Sequence, residues 1–210
     1  MKAYRHILLL LMLVLFKTPN FAQEHNVVHS IGVNVRPSYV MPTHGFYNGF
    51  NSMGKALRFS ESAHLNYGFQ LSSESYQGIG LGLQSFLAHE LIGTPVSVYL
   101  FQGAPVVTLS DKITLDYEWN FGLSAGWKGD ELLMGSSCNV YINVGLFAKW
   151  RISPAWDLIL GPEYTHYSNG DTSFPNSGAN TVNLRLGVRG YINRPEDYKP
   201  TPKIFSFEKS

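Results

Sequence analysis

Ile113-Thr114-Leu115-Asp116-Tyr117-Glu118-Trp119-Asn120-Phe121-Gly122-Leu123-Ser124 decides the fold. Every odd position is large and apolar, and every even position is polar or glycine. Successive side chains of a strand point to opposite faces, so this is a strand with one apolar and one polar face. The next run repeats the pattern. Val140, Ile142, Val144, Leu146, Ala148 and Trp150 share one face, against Asn139, Tyr141, Asn143, Gly145 and Lys149. Trp156, Leu158, Leu160, Pro162 and Tyr164 then alternate with Asp157, Ile159, Gly161, Glu163 and Thr165. Val182, Leu184, Leu186, Val188 and Ile192 alternate with Asn183, Arg185, Gly187, Arg189 and Tyr191.

Rougher alternation occupies 27–40, 62–72, 76–87 and 95–109, which brings the expected strands to eight. Eight is even and at the lower limit for an outer-membrane barrel. A soluble sandwich also alternates, but it turns its apolar face inward. Here the opposite face carries Asp116, Glu118, Lys149, Glu163, Arg185 and Arg189 among many Gly and Asn. A narrow eight-stranded barrel fills its interior with side chains, and such charges pair there. Glu163, on the lumen face by parity, is expected to pair with Arg185 or Arg189. The fold expected is all-β: an eight-stranded antiparallel transmembrane β-barrel of the outer membrane.

Composition agrees. The 210 residues hold 16 Lys+Arg and 15 Asp+Glu, a net charge of +1. Charged residues are 15%, below the roughly 25% of a soluble domain, and aromatics are 14%. There is no basic excess to hold nucleic acid and no acidic tail. The single cysteine, Cys138, excludes an internal disulfide framework and a multi-cysteine zinc site. His89-Glu90 lacks the second histidine of a zinc-protease helix. Gly78-x-Gly80-x-Gly82 is not followed by a helix, so it reads as small lumen residues rather than a phosphate loop. His29 and His64 are isolated and read as interface or lumen residues.

Residues 1–22 read as a cleaved secretory signal peptide. Lys2 and Arg5 precede an unbroken apolar run of ten residues, Ile7 to Phe16, too short to span a bilayer as a helix. Cleavage after Ala22 removes Lys2, Arg5 and Lys17 but no acid, so the mature charge is −2. Residues 23–192 are the expected barrel, and 193–210 form a Pro- and charge-rich tail. No later segment has 18 consecutive apolar residues. An exported chain of this kind enters a membrane only as a closed barrel, because an open sheet leaves unpaired backbone groups in lipid.

Loop lengths set an orientation. Gaps near 41–61, 88–94, 127–137 and 169–179 are long, whereas Ser73–Ser75, Ser110-Asp111 and Ser153-Pro154 are short. Outer-membrane barrels have short periplasmic turns and longer external loops. The 169–179 loop is therefore expected at the cell surface. Trp150, Trp156, Tyr39 and Tyr164 fall near strand ends, as girdle residues do.

The lipid-facing alternation breaks at one place. After Trp156 to Tyr164, the next even residues are His166 and Ser168, and the last strand begins with Asn180. Three polar side chains thus fall on the lipid side at the outer end of one hairpin. If Ser168 lies opposite Asn180, His166 lies opposite Val182 and diagonal to Asn180, about 7–8 Å away. A nucleophile and base there face the ester region of the outer leaflet. The plainer reading is that strand ends near headgroups tolerate polar residues.

Residues 163–188 carry His166-x-Ser168-Asn169-Gly170, then Pro175-Asn176-x-Gly178. This stretch resembles the signature of the PagL-type lipid A 3-O-deacylases, the acyloxyacyl hydrolase family. The resemblance covers about a fifth of the mature chain; elsewhere only the eight-strand pattern agrees. It implies an outer-membrane serine esterase of a Gram-negative cell, acting on lipid A or lipopolysaccharide of the outer leaflet. The bond cut is the ester of the 3-hydroxyacyl chain at position 3. It implies Ser168 as nucleophile and His166 as base. Asn180 stands where a family member has Glu, and would orient the imidazole. Asn169 resembles the family's oxyanion hole, with Gly170 and Asn176 as support; Asn-Gly and Pro-Asn are also ordinary turn residues. Neither metal nor organic cofactor is called for. The rival is a non-enzymatic eight-stranded scaffold or surface-binding barrel, which suits the long 41–61 loop and has no need of His-x-Ser. Oligomeric state is not legible in the sequence.

Overall fold

The computed structural model of the chain describes residues 27–41, 59–72, 75–86, 93–127, 138–168 and 179–199. The expected signal peptide lies outside them. Eight strands follow in order: β1 (Val28–Met41), β2 (Phe59–Ser72), β3 (Ser75–Phe86), β4 (Gly93–Ser110), β5 (Ile113–Trp127), β6 (Cys138–Ser153), β7 (Trp156–Ser168) and β8 (Ala179–Ile192). Each pairs antiparallel with the next, and β1 pairs with β8 to close the barrel. The connections 73–74, 111–112 and 154–155 are short and lie at one end. The connections 42–58, 87–92, 128–137 and 169–178 leave the other end.

The barrel is apolar outside and polar inside. Val33, Leu81 and Leu160 are about half exposed, at 52%, 49% and 50%. Arg36, Glu118, Glu163, Arg185 and Arg189 are buried. That arrangement is unfavourable in water and is the one required in lipid, where a closed ladder satisfies every backbone group. The four expected girdle residues all face outward. Tyr39 and Tyr164 lie toward the long-connection end, and Trp150 and Trp156 toward the short-turn end. Tyr164 and Trp156 are eight positions apart, about 26 Å along a strand and about 20 Å along the axis at a 40° tilt. That suits an apolar band about 25 Å tall.

Inside, the charges neutralise one another. Arg185 Nη1 donates to Glu118 Oε1 at 2.6 Å and to Glu163 Oε1 at 3.4 Å. Arg189 Nη2 donates to Glu118 Oε2 at 3.1 Å. Arg36 Nε lies 3.1 Å from Glu163 Oε2. Glu163 thus pairs with Arg185 as the alternation led us to expect, but its second partner is Arg36 of β1 rather than Arg189. Lys149 Nζ sits 2.6 Å from Asp116 Oδ2. Removing one member of a buried pair leaves an uncompensated charge, at a cost of about 3–5 kcal/mol. Glu118→Ala should lower the unfolding free energy of the detergent-folded barrel by about that amount, read from its urea midpoint. An unchanged midpoint would mean that Glu163 holds both guanidiniums alone.

Toward the long-connection end the lumen fills with rings. Phe86, Trp127, Tyr167, Tyr141 and Tyr99 form a chain of aromatic contacts with centroids 4.9–5.6 Å apart. Tyr167 points into this layer, 1% exposed, and its hydroxyl donates to Gln84 Oε1 at 3.0 Å. A buried aromatic anchor between His166 and Ser168 fixes the end of β7 and turns its neighbours outward. The glycines of β3 make room for this layer. A Cβ on Gly80 would lie 2.2 Å from the Tyr99 ring, and one on Gly82 would lie 2.4 Å from the His64 ring. His64 is a lumen residue, bonded to the Tyr99 hydroxyl at 2.9 Å and Ser62 Oγ at 2.9 Å. His29 faces outward and bonds the Tyr67 hydroxyl at 2.8 Å.

The tail starts by folding back onto the short-turn end. Asn193 takes a left-handed φ of 63°. Arg194 then donates to both carboxylate oxygens of Asp157 at 2.9 Å and to the Ser153 carbonyl at 2.9 Å. Its guanidinium stacks 3.9 Å over the Tyr191 ring. Tyr198 and Gln70 are hydrogen-bonded nearby.

Candidate active site

The site lies at the long-connection end of the β6–β7–β8 face. Tyr164, His166 and Ser168 stand on one side of β7, because a strand returns to the same face every two residues. Asp157, Glu163, Thr165 and Tyr167 face the lumen and hold this side outward. His166 and Ser168 are only partly exposed, despite facing away from the barrel axis. Their neighbours on β6 are apolar: Ile142 is opposite His166 and Val140 opposite Ser168. Beyond β8, Met41 of β1 flanks Asn180. A polar hairpin end is therefore set into an apolar strip.

The register differs from the sequence expectation. Asn180 lies directly opposite His166, and Val182 opposite Tyr164. Relative to the pairing of Ser168 with Asn180 considered from the sequence, the hairpin is offset by two residues. The reason is that a two-residue slip leaves every side chain on its original face. Alternation fixes which face a residue takes and is blind to an even slip. The lumen pairs choose instead: Thr165 Oγ1 accepts from Asn143 Nδ2 at 2.8 Å and from Asn183 Nδ2 at 2.7 Å, locking β6, β7 and β8 together.

The offset puts Asn180 in direct contact with the imidazole. His166 Nδ1 lies 2.6 Å from Asn180 Oδ1. The amide oxygen is an acceptor only, so in the neutral ring this contact calls for the proton on Nδ1 and leaves Nε2 its lone pair. Asn180 Oδ1 accepts a second bond, from the Tyr164 hydroxyl at 2.7 Å. Tyr164, expected as a girdle residue, is thus part of the site. The signal was present in Tyr164-x-His166-x-Ser168, three side chains on one face of one strand. Ser168 is two residues from His166, about 6.6 Å between Cα atoms, a span within reach of an imidazole and a hydroxyl. Asn169, Gly170 and Asn176, expected to supply or support an oxyanion hole, lie outside the described residues. Among the described residues, no three His, Cys, Asp or Glu side chains converge as a metal site requires.

The family model for the lipid A 3-O-deacylases (PagL) matches residues 73–189. The match runs from the turn before β3 to Arg189 of β8, more than half of the chain, and includes His166, Ser168 and Asn180. The chain belongs to the lipid A 3-O-deacylase (PagL) family. No curated protein matches it. Among solved structures it resembles the crystal structure of the outer membrane enzyme PagL, at 16% identity and a TM-score of 0.50, covering 74% of this chain and 97% of that one. It also resembles Neisserial surface protein A (NspA), at 12% identity and a TM-score of 0.52, covering 79% and 97%. At such identities the two likenesses establish the closed outer-membrane barrel fold and nothing finer. Membership of the PagL family is the finding that points to lipid A chemistry.

Proposed function

We propose that the chain is an outer-membrane serine esterase that removes the 3-hydroxyacyl chain ester-linked at position 3 of lipid A. The observation that carries this reading is the 2.6 Å contact between His166 Nδ1 and Asn180 Oδ1. It lies on the lipid-facing side, two residues from Ser168. A serine hydroxyl is a weak nucleophile until a base takes its proton, and the base works best when a third group orients it. A scaffold barrel has no use for an oriented imidazole set into an apolar strip.

The chemistry follows the serine-hydrolase template. Ser168 Oγ attacks the ester carbonyl carbon as His166 Nε2 takes the hydroxyl proton. Negative charge collects on the carbonyl oxygen, where Asn169 and adjoining backbone N–H groups would receive it. Collapse breaks the bond to the sugar oxygen, which takes the proton from His166 and departs as the deacylated lipid. Water, deprotonated by the same imidazole, then frees the 3-hydroxy fatty acid and restores Ser168. Asn180 orients the ring throughout but cannot neutralise the imidazolium as a carboxylate does. No step calls for a metal or organic cofactor.

The location suits the substrate. Tyr164 and Tyr39 face outward near the long-connection ends of β7 and β1, and His166 and Asn180 lie in the next outward-facing row toward the long connections. Outward aromatics mark the headgroup boundary, so the row beyond them reaches the depth of acyl esters. With odd strands running outward, that boundary is the outer leaflet. An epitope tag inserted near Ser173 should be reached by antibody on intact cells, whereas one at 73–75 should not. The reverse pattern would place the site in the wrong leaflet. The reading as a whole is tested by mass spectrometry of lipid A from cells with and without the protein. Loss of one ester-linked 3-hydroxyacyl group is expected, and identical lipid A from both would favour the scaffold.

A further inference from the structure

We propose that Tyr164 is a positioning residue for His166. Its hydroxyl holds the Asn180 side-chain oxygen toward the imidazole and so fixes the tautomer that leaves Nε2 unprotonated. The inference rests on the serine-esterase reading above and explains how an asparagine serves in it.

An amide has two chemically opposite ends. With Oδ1 toward the ring, Nδ1 keeps the proton and Nε2 is a base. With Nδ2 toward the ring, Nδ1 must accept, the proton moves to Nε2, and the base is lost. In Ser-His-Asp proteases, replacing Asp by Asn costs about 10⁴-fold through that wrong tautomer. A carboxylate has no wrong end, so a chain with Asn at this position needs something to choose the end. Among the described residues, the row around Asn180 offers little else, since Met41 flanks it on β1 and Val182 follows it on the lipid face of β8. Tyr164 is the exception. Its hydroxyl donates to Asn180 Oδ1 at 2.7 Å, and His166 Nδ1 meets the same oxygen at 2.6 Å. A phenol is a better donor than acceptor, because the ring draws on its lone pair. A flipped amide would therefore trade a good bond for a poor one. A girdle tyrosine with no other duty turns its hydroxyl to headgroups and water; this one is committed sideways, to the amide.

Two measurements test the lock. The first needs no substrate: ¹⁵N shifts of His166 in the detergent-folded barrel at about pH 8.5, above the ordinary histidine range. Wild type should show Nδ1 protonated and Nε2 bare, and Tyr164→Phe should show a mixture of tautomers. The second is release of 3-hydroxy fatty acid from purified lipid A. Tyr164→Phe should lower kcat about three- to tenfold, the size of one neutral hydrogen bond, with KM little changed. In an Asn180→Asp background the same substitution should cost less than about twofold, because either carboxylate oxygen accepts. Gel mobility before and after boiling confirms that each variant is folded. An unaltered ¹⁵N pattern in Tyr164→Phe would overturn the lock. So would an equal loss of rate in both backgrounds, which would mark Tyr164 as packing. A wild type that cleaves no lipid A would sink the esterase reading instead, and the ¹⁵N spectrum would still decide the lock.

Discussion

Ser168→Ala and His166→Ala should each abolish acyl release, by about 10⁴-fold or more, with the barrel still folded. Nucleophile and base act as a unit, so either loss removes nearly the whole contribution of both, and the double variant should be scarcely slower than either single one. Neither residue carries the fold. Both sit on the lipid face at the last positions of β7, while the lumen holds the strand through Thr165, Glu163 and Tyr167. The measurement is release of 3-hydroxy fatty acid from lipid A by protein in detergent, beside heat-dependent gel mobility to show folding. Full activity in either variant would remove the serine mechanism. Equal loss in a lumen variant such as Glu118→Ala would mean that the assay reads barrel integrity rather than chemistry.

The strands and their faces were legible because a membrane barrel imposes two solvents on one chain. Ile113 to Ser124 reads off both: every second residue meets lipid, and every other meets a crowded polar lumen. Glu118 and Arg185, both on the lumen face by parity, pair across the interior, 67 residues apart. Arg36 was not anticipated as the partner of Glu163, because β1 alternates roughly and closure of the barrel is a three-dimensional fact. The site was legible in type but not in contact. Parity put His166, Ser168 and Asn180 on one face but could not distinguish registers that differ by two; the orienting role of Asn180 toward His166 came from the family resemblance. Tyr164 was hidden for a different reason. A tyrosine at a bilayer boundary already has an ordinary explanation, and only the direction of its hydroxyl shows a second one.

The same contact makes Asn180 the next most sensitive position. Asn180→Ala takes away the acceptor on Nδ1 and frees the ring to turn and change tautomer, so the rate should fall substantially. A general base contributes about 10²–10⁴-fold, and loss of the group that orients it should cost no more than that. The drop should appear in kcat, because Asn180 faces the imidazole rather than the lipid chain. Asn180→Glu should keep or raise activity, since a carboxylate stabilises the imidazolium formed in the transition state as well as orienting it. That gain has a sign in pH. It depends on the ionised carboxylate, so it is present above the pKa of the introduced acid and fades as pH falls through it. Wild type has no such group at position 180, so the ratio of variant to wild-type rates should climb with pH and then level off. If Asn180→Ala matches wild type, the amide is only the first residue of β8 to face lipid, and another group orients His166. If the Asn180→Glu ratio is flat across pH, the carboxylate orients the ring without stabilising its charge. The advantage of an acid in this position would then be geometric, which a well-held asparagine already supplies.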